Sequence, residues 1–544
     1  MRLTWIGLIG LLALSAACGG TKNSSGTGGA DAQGAAGATD ETGGATATGG
    51  ATATGGALAT GGTPVSGGAP ATGGAPTTGG ATVSGGAPTT GGATVSGGAT
   101  ATGGASATGG APARGGATAT GGATATGGAT ATGGAASGGG SGGHTSTLNV
   151  DLCAGLVTDK EPHPMTALTK PALAATVVDP QFGTTIRRIT AVPGANQAII
   201  PMYSTISAWN ADESLLILYQ VDSGHQLYNG KTYQPLRALD IDPADVEQVY
   251  WDTSDPDLLY YVNGQTFIRY HVGTATKDKV HDFSSLCGSS QPSNGDDPMF
   301  TSWDSHRIGL VCGKRMFVYD QSTDTVMGPI APSGTPPAQV APSGTLAYLE
   351  AGTGQIFSVP GLQLVRSLTL QAPDNHASLG QLANGHDTWN GAVYDDGNDD
   401  AKSDVGILVT WDLATGTGGA IIGPKTDYPY PPDGHVSAMA YRQPGWVFVS
   451  TIWVGDFDGT GKAPTPGLLD LENLVADTNT GVVCRIGRHR SWGKTNTTLT
   501  TLDSYWAEPH TVPSPSGTRA LFASDWGNGN SVDSYVVELP SYKP

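Results

Sequence analysis

Val512-Pro513-Ser514-Pro515-Ser516-Gly517-Thr518-Arg519-Ala520-Leu521-Phe522-Ala523 reads as the end of one strand, a tight turn and a buried second strand. Proline presets the turn dihedral, serine bonds nearby backbone, and glycine takes the positive φ that other residues resist. The apolar run that follows suits a strand covered on both faces. The same grammar recurs at Ala341-Pro342-Ser343-Gly344 before Leu346-Ala347-Tyr348-Leu349, and at Asn210-Ala211-Asp212-Glu213 before Leu215-Leu216-Ile217-Leu218-Tyr219. Looser copies run from Tyr250-Trp251 to Val262, from Phe300 through Trp303 to Val311, and from Val436 to Ser450. With a further segment around His376 these make about seven units, spaced by about 35 to 75 residues; the shorter intervals suit propeller blades and the longer ones carry inserted loops. Few segments have the apolar period of a helix, and Leu468 to Val475 is the best short candidate. The expected fold is all-β, a single seven-bladed β-propeller spanning residues 147–544.

Residues 1–146 contribute nothing to that core. Arg2 precedes an apolar run, Leu3 to Leu14, too short to span a bilayer as a stable helix, and this reads as a signal peptide over residues 1–18. The run ends in Leu14-Ser15-Ala16-Ala17-Cys18-Gly19-Gly20, which resembles a bacterial lipobox. The resemblance implies lipidation at Cys18, a membrane-bound acyl anchor and, since no Asp follows the cysteine, an outer-membrane lipoprotein facing the periplasm or the cell surface. Ser15 stands where lipoboxes prefer Leu, so simple cleavage after Ala17 is the alternative. Residues 19–146 are almost only Gly, Ala, Thr, Ser and Pro in six-residue repeats. Such a chain lacks the side chains to offset its ordering entropy and reads as a disordered tether with an end-to-end distance of roughly 60 Å. Glycines come in pairs rather than at every third position, which excludes collagen.

The chain has 45 acidic and 26 basic residues, a net charge of −19, and the tether holds only Lys22 and Arg114 against Asp31, Asp40 and Glu41. The propeller therefore carries the acidic excess, which excludes nucleic acid as a natural partner. No feature of the sequence asks for more than a monomer. Beyond Cys18 the cysteines number four, consistent with disulfides in an oxidising compartment. Cys287 with Cys312, and Cys153 with Cys484, is the favoured pairing of three.

Three segments of the last third place a histidine at one position of the repeating unit: Asn375-His376-Ala377-Ser378, Gly434-His435-Val436-Ser437 and Pro509-His510-Thr511-Val512. The first strand of each propeller blade lines the channel, so His376, His435 and His510 are expected to converge at one mouth, from blades five, six and seven. Neutral imidazoles from adjacent strands suit a divalent transition metal, manganese, zinc or nickel, or serve as general base and acid. The competing reading is that each histidine bonds a neighbouring blade's backbone and fixes its turn.

The phrase Glu508 to Trp526 resembles the strand-turn-strand signature of bacterial propellers of the Tol-associated and oligogalacturonate-lyase type. Asp179 to Thr190 would then supply the strand that closes the ring against Tyr535-Val536-Val537-Glu538-Leu539. In oligogalacturonate lyases, histidines and a glutamine hold a divalent metal in the channel. This chain departs from that pattern: Glu508 stands where the family has a second histidine, and Tyr505 where it has the glutamine. The metal set read here is therefore His376, His435, His510 and Glu508.

Arg488, His489, Arg490 and Trp492 precede the last blade in what reads as a long connection, and such loops are often functional. With Trp506 they form a candidate surface for an anionic group and a sugar ring. Asp456-Phe457-Asp458-Gly459-Thr460-Gly461 invites calcium through Asp456 and Asp458, as does Asp395 to Asp400 more weakly; neither has the terminal Glu of an EF-hand. A nucleophilic-serine motif is missing from the propeller.

Three functions fit. The first is a surface-anchored module that binds a glycan or small anionic ligand at the channel mouth. The second is a polysaccharide lyase, in which Arg490 or a metal neutralises a uronate carboxylate while His435, His510 or Tyr505 moves the C5 proton. The third is an envelope scaffold. The binding module is the favoured reading, because no base stands out.

Overall fold

In the computed structural model, residues 148–292, 301–331, 338–349, 354–368, 372–373, 376–394, 405–452, 467–491, 504–527 and 531–544 are described, with the backbone of nine short strands between residues 65 and 120. The chain divides into two units, residues 1–138 and 139–544. In the first unit the strands pair in parallel, Val65 with Val83 and Val83 with Ala101, so each pairing advances three of the six-residue repeats. Cys18 lies outside the described residues.

The second unit is a seven-bladed β-propeller of antiparallel sheets. Blade 1 comprises Ile199–Ile200, Leu215–Gln220, Gly224–Asn229 and Pro235–Ala238. Blade 2 runs from Val249–Trp251 to Thr276–Asp282, and blade 3 from Arg307–Cys312 to Thr325–Ile330 with Thr301 bridged to Ile308 on its inner side. Blade 4 begins at Ala338–Val340, blade 5 at Ser378–Gln381 and blade 6 at Gly434–Ser437. Blade 7 joins Val512–Pro513, Arg519–Ser524 and Asp533–Glu538 to Thr185–Arg188, with Thr176–Val178 outermost.

Thr185–Arg188 therefore closes the ring. It pairs Ile186 with Val537 and Arg187 with Val536. Apolar clusters then lie between successive blades: Trp209 and Leu216 with Leu521 and Val536 between blades 1 and 7, Val318 with Ala347 between 3 and 4, Tyr348 with Trp389 between 4 and 5, and Phe448 with Phe522 between 6 and 7. A strand buried on both faces needs the near-continuous apolar runs seen in the sequence.

The turn grammar has a second use. Ser516 N–H donates to Glu213, Asn210 Nδ2 to the Pro256 carbonyl, Trp303 N–H to the Pro342 carbonyl and Ser343 N–H to Asp387. Each of these bonds links the turn of one blade to its neighbour, so the tight turns are also the stitches of the ring. Sulfur pairs join Cys153 to Cys484, tying the segment before blade 1 to blade 6, and Cys287, at the end of the short helix after blade 2, to Cys312 in blade 3.

The helical reading of Leu468 to Val475 fails. Residues 468–470 are a turn and Glu472–Asp477 is the third strand of blade 6. Leu471, Leu474 and Val475 satisfy a helical period by chance; Leu469 and Leu471 have positive φ, which no helix permits.

Ile186 is fully buried in the closing strand. Ile186→Ala is expected to cost about 2–5 kcal/mol of unfolding free energy, measured by urea titration.

Candidate metal centre

His435 is the second residue of blade 6's inner strand and pairs with Ser450 across the ladder. Gly434 precedes it because a Cβ there would lie 2.4 Å from the Ser450 carbonyl oxygen, so only glycine lets the strand approach. His376 comes two residues before blade 5's inner strand and is half-buried. His510 comes two residues before Val512–Pro513 and is fully buried, with φ of 42°. A histidine in that left-handed region carries local strain of order 1–3 kcal/mol, which surroundings must hold in place. Thr511 helps to do so: its hydroxyl donates to Asn473 of blade 6 at 2.8 Å.

The convergence is as the repeat implies. Ring centroids lie 4.8 Å apart for His376 and His435, and 4.4 Å for His435 and His510. Glu508 is carried in by the one-turn helix Ser504–Ala507, whose turn closes when Glu508 N–H donates to the Tyr505 carbonyl. Its Oε2 stands 3.5 Å from His435 Nε2 and 3.6 Å from His510 Nε2. One donor atom from each of these three buried residues lies within 4.8 Å of the others. Donors held about 2.1 Å from one ion sit about 3–3.5 Å apart, so this triad fits a small divalent cation. Two imidazoles and a carboxylate form a mixed donor set, acceptable to manganese, iron or zinc.

Two residues not singled out in the sequence complete the wall. Tyr203, from the segment after blade 1's first strand, lies 5.5 Å from His435 and 5.1 Å from His510 between ring centroids. Glu247, just before blade 2, accepts a short hydrogen bond from the Tyr505 hydroxyl. Burial first, then Glu247, pushes that hydroxyl well above the ordinary tyrosine range. Tyr505 is thereby a proton donor fixed in place, 4.9 Å from the His510 ring. Counting back from the Asn210 turn along blade 1's inner side would have found Tyr203; Glu247 is hidden among the acids of its loop.

Trp506 joins this group, half-buried, 5.1 Å from Tyr505 and 5.7 Å from Tyr219. The Arg488-His489-Arg490 cluster does not. Arg488 ends the fourth strand of blade 6 rather than a free loop, and it is spent on the carbonyls of Asp470, His163 and Gly467 and on Glu472. Arg490 donates to the Thr166 carbonyl at 2.8 Å and faces Asp179 at 3.3 Å. His489 donates from Nε2 to the Thr451 carbonyl at 2.7 Å and accepts from Ser491 N–H at Nδ1. All three are buried and bind the chain to itself. Arg490 is thus removed as a partner for a uronate carboxylate. Trp492, Asp456, Asp458 and Asp395 to Asp400 lie outside the described residues.

No protein-family model matches the chain, and no curated protein matches its sequence. Among solved structures, an oligogalacturonate lyase from Vibrio parahaemolyticus superposes with a TM-score of 0.50 at 13% identity, over 68% of this chain and 97% of that one. The chain shares its propeller fold. An oligogalacturonate lyase in complex with manganese gives a TM-score of 0.49 at 14% identity, with the same coverage. Identities this low speak for architecture and leave the chemistry to the residues.

Burial lowers the His489 imidazole to about 4. An unfolded histidine titrates near 6.5. The unfolded state therefore binds the extra proton first, and stability present above pH 6.5 is lost as pH falls toward 4. The expected loss is about 3 kcal/mol between pH 7 and 4 from this group, and His489→Gln should flatten that part of the stability profile measured by urea titration.

Proposed function

We propose that the propeller binds a divalent transition metal at His435, His510 and Glu508, and beside it a small anionic ligand or the acidic end of a glycan. The observation that carries this reading is the convergence of three buried donors from two blades on one point, with His510 held in a strained backbone to reach it. Burying two imidazoles against a carboxylate at 3.5 and 3.6 Å costs desolvation that a bound cation would offset. A metal in that set supplies a Lewis-acidic point for an oxygen of the ligand. Tyr505 offers a fixed hydrogen-bond donor and Trp506 an apolar face for a sugar ring.

One observation favours a lyase as the second reading. His376 is the half-buried member at the edge of the cluster, 4.8 Å from His435, and is the group placed to take a proton from a ligand lying over the others. Tyr505 suits that task poorly, since its hydroxyl holds its proton far above neutral pH. At the level of the cell, the reading includes an acyl anchor on Cys18 and the Gly/Ala/Thr-rich segment as the spacer that presents the domain at the outer membrane.

Elemental analysis of the tag-free protein is expected to give near-stoichiometric manganese, iron, zinc or nickel. His435→Ala and His510→Ala should each lower occupancy at least tenfold, and Glu508→Gln less, with the fold retained by circular dichroism. Metal at wild-type levels in both histidine variants would refute the site. New ultraviolet absorbance from polygalacturonate that disappears in His376→Ala would favour the lyase; metal binding without any glycan or anion affinity would favour an envelope scaffold. Separately, Cys18→Ser is expected to move the protein from the membrane pellet to the soluble fraction of a bacterial host.

A further inference from the structure

The channel has a second end. Along blade 6's inner strand and its continuation, Val436, Ala438 and Ala440 pack into blade cores. Alternation therefore turns His435, Ser437, Met439 and Tyr441 toward the axis. His435 belongs to the metal cluster; Tyr441, six residues and about 20 Å further along an extended chain, does not. It lines a separate hollow of about 40 Å³ with Met439, Thr205, Ser207, Tyr250 and Trp303. Blade 1 repeats the arrangement, with Ile206 and Ala208 in the cores, Tyr203 at the cluster, and Thr205 and Ser207 at the hollow.

Two hydroxyls in this hollow have no hydrogen-bond partner among the described residues: Tyr441 Oη and Thr205 Oγ1, on residues 8% and 4% exposed. A buried hydroxyl left unsatisfied costs about 1–3 kcal/mol, so a pair of them from blades 6 and 1 marks a place for a polar guest. Trp303 of blade 3 remains half-buried, its ring 6.4 Å from that of Tyr441. The lining residues carry no formal charge. Burial first, then the carboxylates of Glu213, Asp252 and Asp212, which outnumber the single cation Arg442, push the Tyr441 hydroxyl up and keep it a donor. These surroundings disfavour an anion.

We propose that this end of the channel is a second binding site, which takes the edge of an uncharged sugar ring. Tyr441 Oη and Thr205 Oγ1 bond its hydroxyls, and the Trp303 ring covers its apolar face. The hollow holds roughly three waters, so one ring edge enters and the rest of the sugar lies against Trp303. The site shares no residue with the metal cluster and stands without it.

The test is saturation-transfer NMR and calorimetry on the full chain with methyl α-D-glucopyranoside, methyl β-D-galactopyranoside and N-acetylglucosamine, against D-galacturonate as the charged probe. In the His435→Ala protein, where the metal cluster no longer competes for the charged probe, at least one neutral probe is expected to bind more tightly than galacturonate. Tyr441→Phe and Trp303→Ala should each weaken that binding by about fivefold or more, the loss of one hydrogen bond or one stacking face. His435→Ala should leave it unchanged. Tyr441→Phe removes only an unpartnered hydroxyl, so its melting temperature should match the parent and separate binding from folding. No binding of any neutral probe, or binding indifferent to both Tyr441→Phe and Trp303→Ala, would overturn the proposal and leave the hydroxyls to water.

Discussion

Asp533 sits where the two ends of the ring meet, and its carboxylate is fully buried. It takes Arg188 at 2.8 Å and Lys170 at 2.7 Å as ion-pair partners, and accepts hydrogen bonds from the Thr190 hydroxyl and the Val192 N–H. An isolated buried carboxylate would be prohibitively costly, and this one is tolerated because every donor comes from the segment that has to arrive for the ring to close. Thr185–Arg188 contributes only four residues of ladder. The ladder sets the register; the clasp on Asp533 makes any other register costly, since a slip by one residue would carry Arg188 to the opposite face. Every inter-blade cluster, and so every convergence at the channel, depends on that closure.

The same device recurs beyond the seam. Glu213 of blade 1 receives Arg519 of blade 7 at 2.6 Å, and Arg519 lies over the Trp209 ring at 4.8 Å. Glu472 of blade 6 receives Arg485 at 2.5 Å, and Arg485 also reaches Asp159 and the Glu161 carbonyl before blade 1. Buried pairs of this kind are weak evidence for net stability, because desolvation consumes much of the attraction. Their value here is geometric. Arg519 with Glu213, and Arg485 with Asp159 and Glu161, join chain segments 306 to 326 residues apart, while Glu472 holds Arg485 in place from within blade 6; such contacts accept only one arrangement of blades, where an apolar contact would accept several.

The blade repeat and the histidine convergence were legible because both rest on local grammar: a Pro/Ser/Gly turn before an apolar run, and a histidine at a fixed offset ahead of it. The closing strand was legible too, since Asp179 to Thr190 holds a strand, Thr185–Arg188, with no blade of its own. What escaped had no local signature. Arg488, His489 and Arg490 look like an exposed basic cluster until Glu472, Asp179 and the Thr451 carbonyl are known to face them, and those partners lie up to 311 residues away. Leu468 to Val475 fitted a helical period in eight residues, a window too short to separate a helix from a turn entering a strand. Tyr203 lay within a count back from the Asn210 turn along a short inner strand, whereas Glu247 reaches the site from a loop whose acids give no offset.

In the proposed metal site, Glu508 sets the charge of the donor set. A carboxylate in place of a neutral imidazole adds one negative charge to a set of two imidazoles, which favours harder divalent ions and holds any bound cation closer to neutrality. A ligand's own anionic group is then attracted less strongly, and recognition must come increasingly from hydrogen bonds and stacking. Tyr505 answers that requirement: tied to Glu247, it donates from a fixed position rather than ligating, and Trp506 follows it with an apolar ring. In the proposed site, a carboxylate ligand beside a clamped phenol would set the balance of the channel mouth toward shape and hydrogen bonding rather than charge neutralisation. On that reading, the balance suits holding a ligand better than taking a proton from it.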